Sequence, residues 1–206
     1  MGKYATYEEL DRHQREGIDY RVRIREGDSG IAIVAPHGGG IELGTMEIAR
    51  EVAGIEHTFY GFEGMKATGN ADLHITSKEF DEPRLDSIVR KVEIVLTVHG
   101  CEGEGEVVYV GGLQKAMKQK IQKALSDSGF RVRVSPKAMM GGESPRNICN
   151  RGRSGAGVQL EISKGLRKKM FFDLETHRGR NMKRDVFRKF VSVLRKQLSS
   201  AHKMML

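Results

Sequence analysis

Short apolar runs recur along this chain, and their periodicity separates candidate strands from candidate helices. Residues 20–26 (YRVRIRE) and 130–135 (FRVRVS) alternate polar and apolar positions, which predicts half-exposed strands near a sheet edge. Residues 30–36 (GIAIVAP) and 92–98 (VEIVLTV) are almost unbroken apolar runs, which predicts buried central strands. Four further runs read as strands: HTFYGF at 57–62, ADLHIT at 71–76, EVVYV at 106–110 and GVQLEIS at 157–163. Helical periodicity falls between and after them. Residues 82–91 (EPRLDSIVRK) offer Asp81 as a cap and Pro83 in the first turn. Residues 113–129 end in Gly129, a residue suited to the position just past a helix. Residues 183–198 place Val186, Phe190, Val193 and Leu194 on one stripe with Arg and Lys opposite. Glycine-rich stretches at 38–40, 100–105, 111–112 and 152–157 read as loops. Strands alternating with helices predict an α/β fold: one three-layer domain over residues 1–206, with a mixed, mostly parallel central sheet flanked by helices.

Composition narrows the class. The chain has 206 residues, 38% apolar and 30% charged, which suits a globular protein with a real core. No apolar run approaches the ~18 residues of a membrane span, and the N-terminal MGKYATYEELDRHQREG lacks the apolar stretch of a signal peptide. Cys101 and Cys149 make neither a disulfide framework nor a zinc-ribbon spacing, and read as reduced thiols of a chain made in a cytoplasm. Charge is uneven: residues 164–206 hold 13 Lys and Arg against 3 Asp and Glu, although the whole chain is only +8. Such an end is either a solvated helix face or an attractor of polyanions. With no Trp, and Phe187 and Phe190 at helical core spacing, stacking platforms for single-stranded nucleic acid are not evident.

Candidate chemistry collects where strands end. In open α/β sheets, ligands bind at the carboxyl ends of strands. His37 follows IAIVAP, His99 follows VEIVLTV, and Glu42 falls in the loop or first helical turn beyond His37. Two neutral imidazoles and a carboxylate are the three protein ligands of a catalytic zinc whose fourth position stays open. Glu161, a carboxylate inside an otherwise apolar strand, is expensive to bury alone and could handle a water's proton. Taken singly, the histidines could be loop or core residues satisfied by backbone, and Glu42 a first-turn carboxylate favoured by the helix dipole. His74 alternates with Leu73 and Ile75, and reads either as a substrate contact or as a hydrogen-bonded interior histidine. Asn147 reads either as a substrate contact or as a turn cap after Pro145. Asp81 and Glu82 read as helix-start residues.

Three words raise the specificity of this set. PHGGGIELGT, LHITSKEFDEP and NICNRGRSGAGVQLEIS resemble the phage-type poly-γ-glutamate hydrolase family, over about Ile31 to Phe172. The resemblance implies a zinc carboxypeptidase-like fold, one zinc ion, and hydrolysis of the amide joining the γ-carboxyl of one glutamate to the amine of the next. It implies His37, Glu42 and His99 as zinc ligands and Glu161 as general base. It further implies substrate binding by the Asn150–Arg151 pair, which resembles the pair that grips a substrate carboxylate in carboxypeptidases. Asn147 and His74 are candidate helpers. The spacing His37-x4-Glu42 is longer than the carboxypeptidase His-x-x-Glu but matches the hydrolase family. Cys101 is outside the family's word and is not read as a ligand. The implied partner is a polyanionic poly-γ-glutamate chain, with no membrane, reached after release by cell lysis. Two other classes stay open: a zinc amidohydrolase acting on small acidic peptides, and a polyanion-binding module without turnover.

Overall fold

A computed structural model describes residues 2–134 and 141–202. In chain order the strands are β1 (Tyr20–Arg25), β2 (Ile31–Gly39), β3 (Thr58–Gly64), β4 (Ile94–Cys101), β5 (Val107–Gly111), β6 (Arg131–Arg133) and β7 (Val158–Ser163). The helices are α1 (Tyr7–His13), α2 (Thr45–Ala53), α3 (Pro83–Val89), α4 (Lys115–Asp127), α5 (Lys164–Met170), α6 (His177–Asn181) and α7 (Asp185–His202). The strands form a single mixed sheet in the order β1-β3-β2-β4-β7-β5-β6. β3, β2, β4 and β7 run parallel to one another, as do β5 and β6, while β1 and β5 are antiparallel to β3 and β7.

Side-chain alternation builds a core on each face. Ile31, Ile33, Leu96, Val98, Leu160 and Ile162 pack under α2, α4, α5 and α7. Ala32, Val34, Tyr60, Phe62 and Val95 pack under α1 and α3, which supply Leu10, Leu85, Ile88 and Val89. The apolar runs predicted to be central, β2 and β4, lie mid-sheet, and the alternating YRVRIR is an edge strand. Gly129 takes φ +85 just beyond α4, where a side chain would be strained.

Several local expectations are corrected. Residues 71–76 are not a strand. Gly69 at φ +74 turns the chain into a 3-10 helix, Asn70–Leu73, and the segment joins no ladder of the sheet. Its alternation instead buries Leu73 and Ile75 completely. The FRVRVS run yields only the short β6, and its Ser135 lies outside the described residues. The cap of α3 is Glu82, whose side chain accepts from the Leu85 amide. Asp81 instead accepts from the Tyr7 amide. On α7 the buried stripe is Phe187, Phe190, Val191, Leu194 and Leu198, with Val186 and Val193 only partly buried at its margin. Gly38 and Gly39 extend β2 rather than forming a loop.

Candidate metal centre and its cavity

One irregularity in β2 aims the first histidine. β2 pairs with β3 as far as Ala35↔Gly61 and resumes at Gly38↔Glu63, so β2 carries one extra residue there. Regular alternation would send His37 the way of Ile31, Ile33 and Ala35, into the core beneath α2. The bulge turns it to the opposite face. On that face β4 presents Val95, Thr97 and His99 in succession, and β7 presents Gln159 and Glu161. His99 and Glu161 are direct register partners across the β4–β7 ladder.

Glu42 comes from the turn between β2 and α2. Gly39 at φ +63 and Gly44 at φ +88 make that turn possible; a Cβ on Gly39 would also lie 2.5 Å from the Gly64 carbonyl. The Glu42 amide donates to the His37 carbonyl (2.9 Å), and the Thr45 hydroxyl donates to the Glu42 carbonyl (2.8 Å). The Gly100 amide donates to Glu42 Oε2 (2.7 Å), so the carboxylate bridges to the end of β4.

One ligand atom from each of His37, Glu42 and His99 falls within 4.8 Å of the other two. His37 Nδ1 is 3.0 Å from Glu42 Oε1 and 3.2 Å from His99 Nδ1. The outer nitrogens are held elsewhere. His37 Nε2 donates to the Ile75 carbonyl (2.7 Å), and His99 Nε2 lies 3.3 Å from the Ser77 hydroxyl. A carbonyl only accepts, so His37 Nε2 carries a proton, and Nδ1 is the ring atom turned towards a carboxylate oxygen and a second imidazole nitrogen. With both Nδ1 atoms unprotonated, their lone pairs and the carboxylate converge on one point, and a cation there relieves their repulsion. Fixing a ligand's free nitrogen through the hydrogen bond of the other is how metal-binding histidines are oriented. The donor set therefore fits a zinc ion.

The electrostatics agree. Burial pushes the His99 imidazole down to about 3, with Glu42 opposing and the neighbouring His37 and His74 adding to it, so the ring stays neutral. Burial would raise the Glu42 carboxyl, but His37, His74 and His99 together hold it well below the usual carboxylate range. Burial, then the Glu42 charge, holds Glu161 well above that range, against the pull of Arg167 and Gln159. Gln159 Nε2 donates to Glu161 Oε1 (3.1 Å), which leaves the second oxygen for other partners.

These groups open into a cavity of about 520 Å³, lined also by His74, Lys78, Asn147 and Gln159. His74 stacks on His37 with ring centroids 3.9 Å apart, and its Nε2 is 3.6 Å from Glu42 Oε1. Asn147 caps a 3-10 turn through the Cys149 amide and donates to Gln159 Oε1 (2.9 Å), so it meets the cavity and the turn at once. Cys101 also lines the cavity, its thiol pushed up to about 11 by burial and then by Glu161.

Asn150 and Arg151 are not brought to the cavity. Asn150 accepts from the Leu113 and Gly157 amides and donates to the Gly142 and Ser144 carbonyls. Arg151 donates to the carbonyls of Ser77, Lys78, Phe80 and Arg146 and reaches Asp86 Oδ1 at 3.4 Å. A guanidinium has five donors, and these acceptors use them. In this arrangement Arg151 braces the 77–80 segment that forms one wall.

Sequence reasoning missed Gln159, Lys78 and Arg167. Gln159 was findable, since it shares the face of Glu161 two residues on. Arg167, on α5 and 4% exposed, gave no such signal. Its guanidinium donates to Leu43 O (2.7 Å), Cys101 O (3.0 Å) and Ile162 O (3.0 Å), joining the chain next to Glu42, beyond His99 and next to Glu161. A Cβ on Gly100 would lie 2.6 Å from its Cζ, so glycine there lets the arginine in. Arg167→Met should weaken zinc binding by about 10–100-fold, the scale for outer-shell partners. A chelator-competition titration measures this, and unchanged affinity would make the brace irrelevant to the metal centre.

Comparison with known proteins identifies the family. The family model described as poly-gamma-glutamate hydrolase matches residues 4–193. The SPbeta prophage-derived UPF0714 protein YoqZ of Bacillus subtilis (strain 168) is 36% identical over 196 residues, 94% of this chain and 70% of its own length. The UPF0714 protein YndL of the same organism is 39% identical over 169 residues, 82% of this chain and 66% of its own length. Among solved structures, a bacteriophage poly-gamma-glutamate hydrolase superposes with a TM-score of 0.94 at 28% identity, over 99% of this chain and 100% of its own. The zinc-free apo form of YndL gives 0.90 at 35% identity, over 98% and 99%. N-formylglutamate amidohydrolase from Ralstonia eutropha JMP134, at 0.54 and 10% identity over 90% and 98%, shares the fold alone. The chain belongs to the poly-γ-glutamate hydrolase family.

Proposed function

We propose that this protein is a zinc-dependent hydrolase that cuts the γ-glutamyl amide bonds of poly-γ-glutamate, and cuts them internally. The observation that carries the reading is the convergence of His37, Glu42 and His99 beside Glu161 in one cavity. His37, Glu42 and His99 hold a single zinc ion, which when bound supplies a Lewis acid to polarise the scissile carbonyl and lower the pKa of water. Glu161 takes the proton of the attacking water and passes it to the leaving amine; the environment that raises its proton affinity suits a group that both accepts and returns a proton. A polyanion-binding module would leave the histidine–carboxylate set without a purpose.

The substrate's chemistry supports internal cutting. In a γ-linked chain every amide nitrogen is attached to a carbon bearing a free carboxylate, so one cation beside the cavity meets the same group at each bond. Lys78 lines the cavity, its ammonium makes no hydrogen bond or ion pair among the described residues, and we assign it this contact. His74 and Asn147 complete the substrate's surroundings, and Arg151 acts behind the wall. Arg151→Lys should therefore cost stability, about 2–3 kcal/mol for lost charged hydrogen bonds. That is a Tm fall of roughly 4–12 °C. Lys78→Met should leave Tm unchanged and raise KM for the polymer. If Arg151→Lys instead raised KM with Tm intact, the clamp would belong to Arg151.

Product length tests the whole reading. Long polymer should shorten rapidly with little free glutamate. Steady release of monomer from polymer of almost constant length would mean terminal cutting, and turnover confined to short acidic peptides would favour the small-substrate amidohydrolase.

A further inference from the structure

On the sheet face opposite the histidines, β1 and α2 enclose a second cavity of about 280 Å³, lined by Arg21, Arg23, Arg25, Arg50, Glu47 and Glu63 among others. Its charges do not cancel. Glu63 is taken by Arg21 (2.8 Å) and Arg23 (3.2 Å), and Glu47 by Arg180 (3.1 Å). Arg25 and Arg50 remain, and neither makes a hydrogen bond or ion pair among the described residues. Arg25 is the more telling: its Nε and Nη2 are buried and have no acceptor. Those two nitrogens form the edge that receives a carboxylate in bidentate fashion, and a desolvated guanidinium without an acceptor is costly. Glu47 Oε2 is likewise buried without a donor, so the cavity offers an acceptor beside its cations. The two cavities share one rim of the sheet: Glu63 is the register partner of Gly38, the neighbour of His37.

We propose that this cavity is a second binding site for a polycarboxylate amide chain, gripping poly-γ-glutamate away from the bond being cut; in naming that polymer it rests on the function proposed above. Carboxylates of the chain meet Arg25 and Arg50, and an amide N–H meets Glu47. A polyphosphate satisfies the arginines but brings no donor for Glu47, which is why the site is assigned to a polyamide.

The test compares Glu161→Gln protein, used to suppress cleavage, with the same protein carrying Arg25→Gln and Arg50→Gln. Binding of long poly-γ-glutamate, a γ-linked trimer and polyphosphate is measured by calorimetry. The two changes should weaken binding of the long polymer by about tenfold, the loss of a charge-assisted contact. They should leave the trimer's affinity at the metal centre within about twofold, and in the Glu161-containing enzyme raise KM for long polymer with kcat unchanged. Arg50→Gln alone, on an exposed helix position, gives the same direction should the double variant fold poorly. Long-polymer affinity unchanged in both variants overturns the proposal, as does tighter binding of polyphosphate than of poly-γ-glutamate at these arginines. If the intact enzyme cuts nothing yet the arginine changes still release the polymer, the binding site stands and the proposed hydrolysis falls. If the polymer is cut and the arginine changes alter neither binding nor KM, the reverse holds.

Discussion

Replacing His99 with alanine is expected to strip the protein of zinc and abolish hydrolysis of poly-γ-glutamate. A catalytic zinc held by three protein groups has no spare ligand. His99 is held neutral, its imidazole pushed down to about 3 by burial and by its histidine neighbours. Removing it leaves His37 Nδ1 and Glu42 Oε1 3.0 Å apart with no third donor. His37→Ala and Glu42→Ala should behave alike. The measurement is metal content by elemental analysis after dialysis, with circular dichroism to confirm the fold. Full zinc occupancy in any of these variants would remove that residue from the ligand set.

Glu161→Gln should separate chemistry from metal binding. The amide keeps the shape of the side chain and can still meet Gln159, but it cannot take a proton. Zinc content should stay at the wild-type level while kcat falls by at least ~10²-fold, the lower end for acid–base catalysis. Turnover close to wild type would make Glu161 structural and require another base. Because Glu161 is the register partner of His99, a change that merely disturbed the strand would move zinc affinity and kcat together, so measuring both distinguishes the two explanations.

Much of this arrangement is legible in the residues. Continuous apolar runs mark β2 and β4 as central because both their faces are covered, and strand ends mark where His37 and His99 lie. The limits are equally physical. Alternation alone points His37 into the wrong core, since a one-residue bulge in β2 leaves no mark in apolar periodicity. Leu73 and Ile75 alternate as strand residues do, yet Leu73 ends a 3-10 turn, Ile75 follows it, and both plug a core without joining the sheet. Arg151 carries the right chemistry for a carboxylate and spends it on carbonyls 71–74 positions away. Arg167 reaches Leu43 across 124 positions. Such long-range pairings of one side chain with backbone have no local signature.

The most direct measurement is to incubate the purified protein with long poly-γ-glutamate, size the products, and repeat after a chelator and again after adding back zinc. Rapid shortening of the polymer, lost with the chelator and restored by zinc, is the predicted result. Unchanged shortening in a protein shown by elemental analysis to hold no metal, or no shortening at full zinc occupancy, would contradict it.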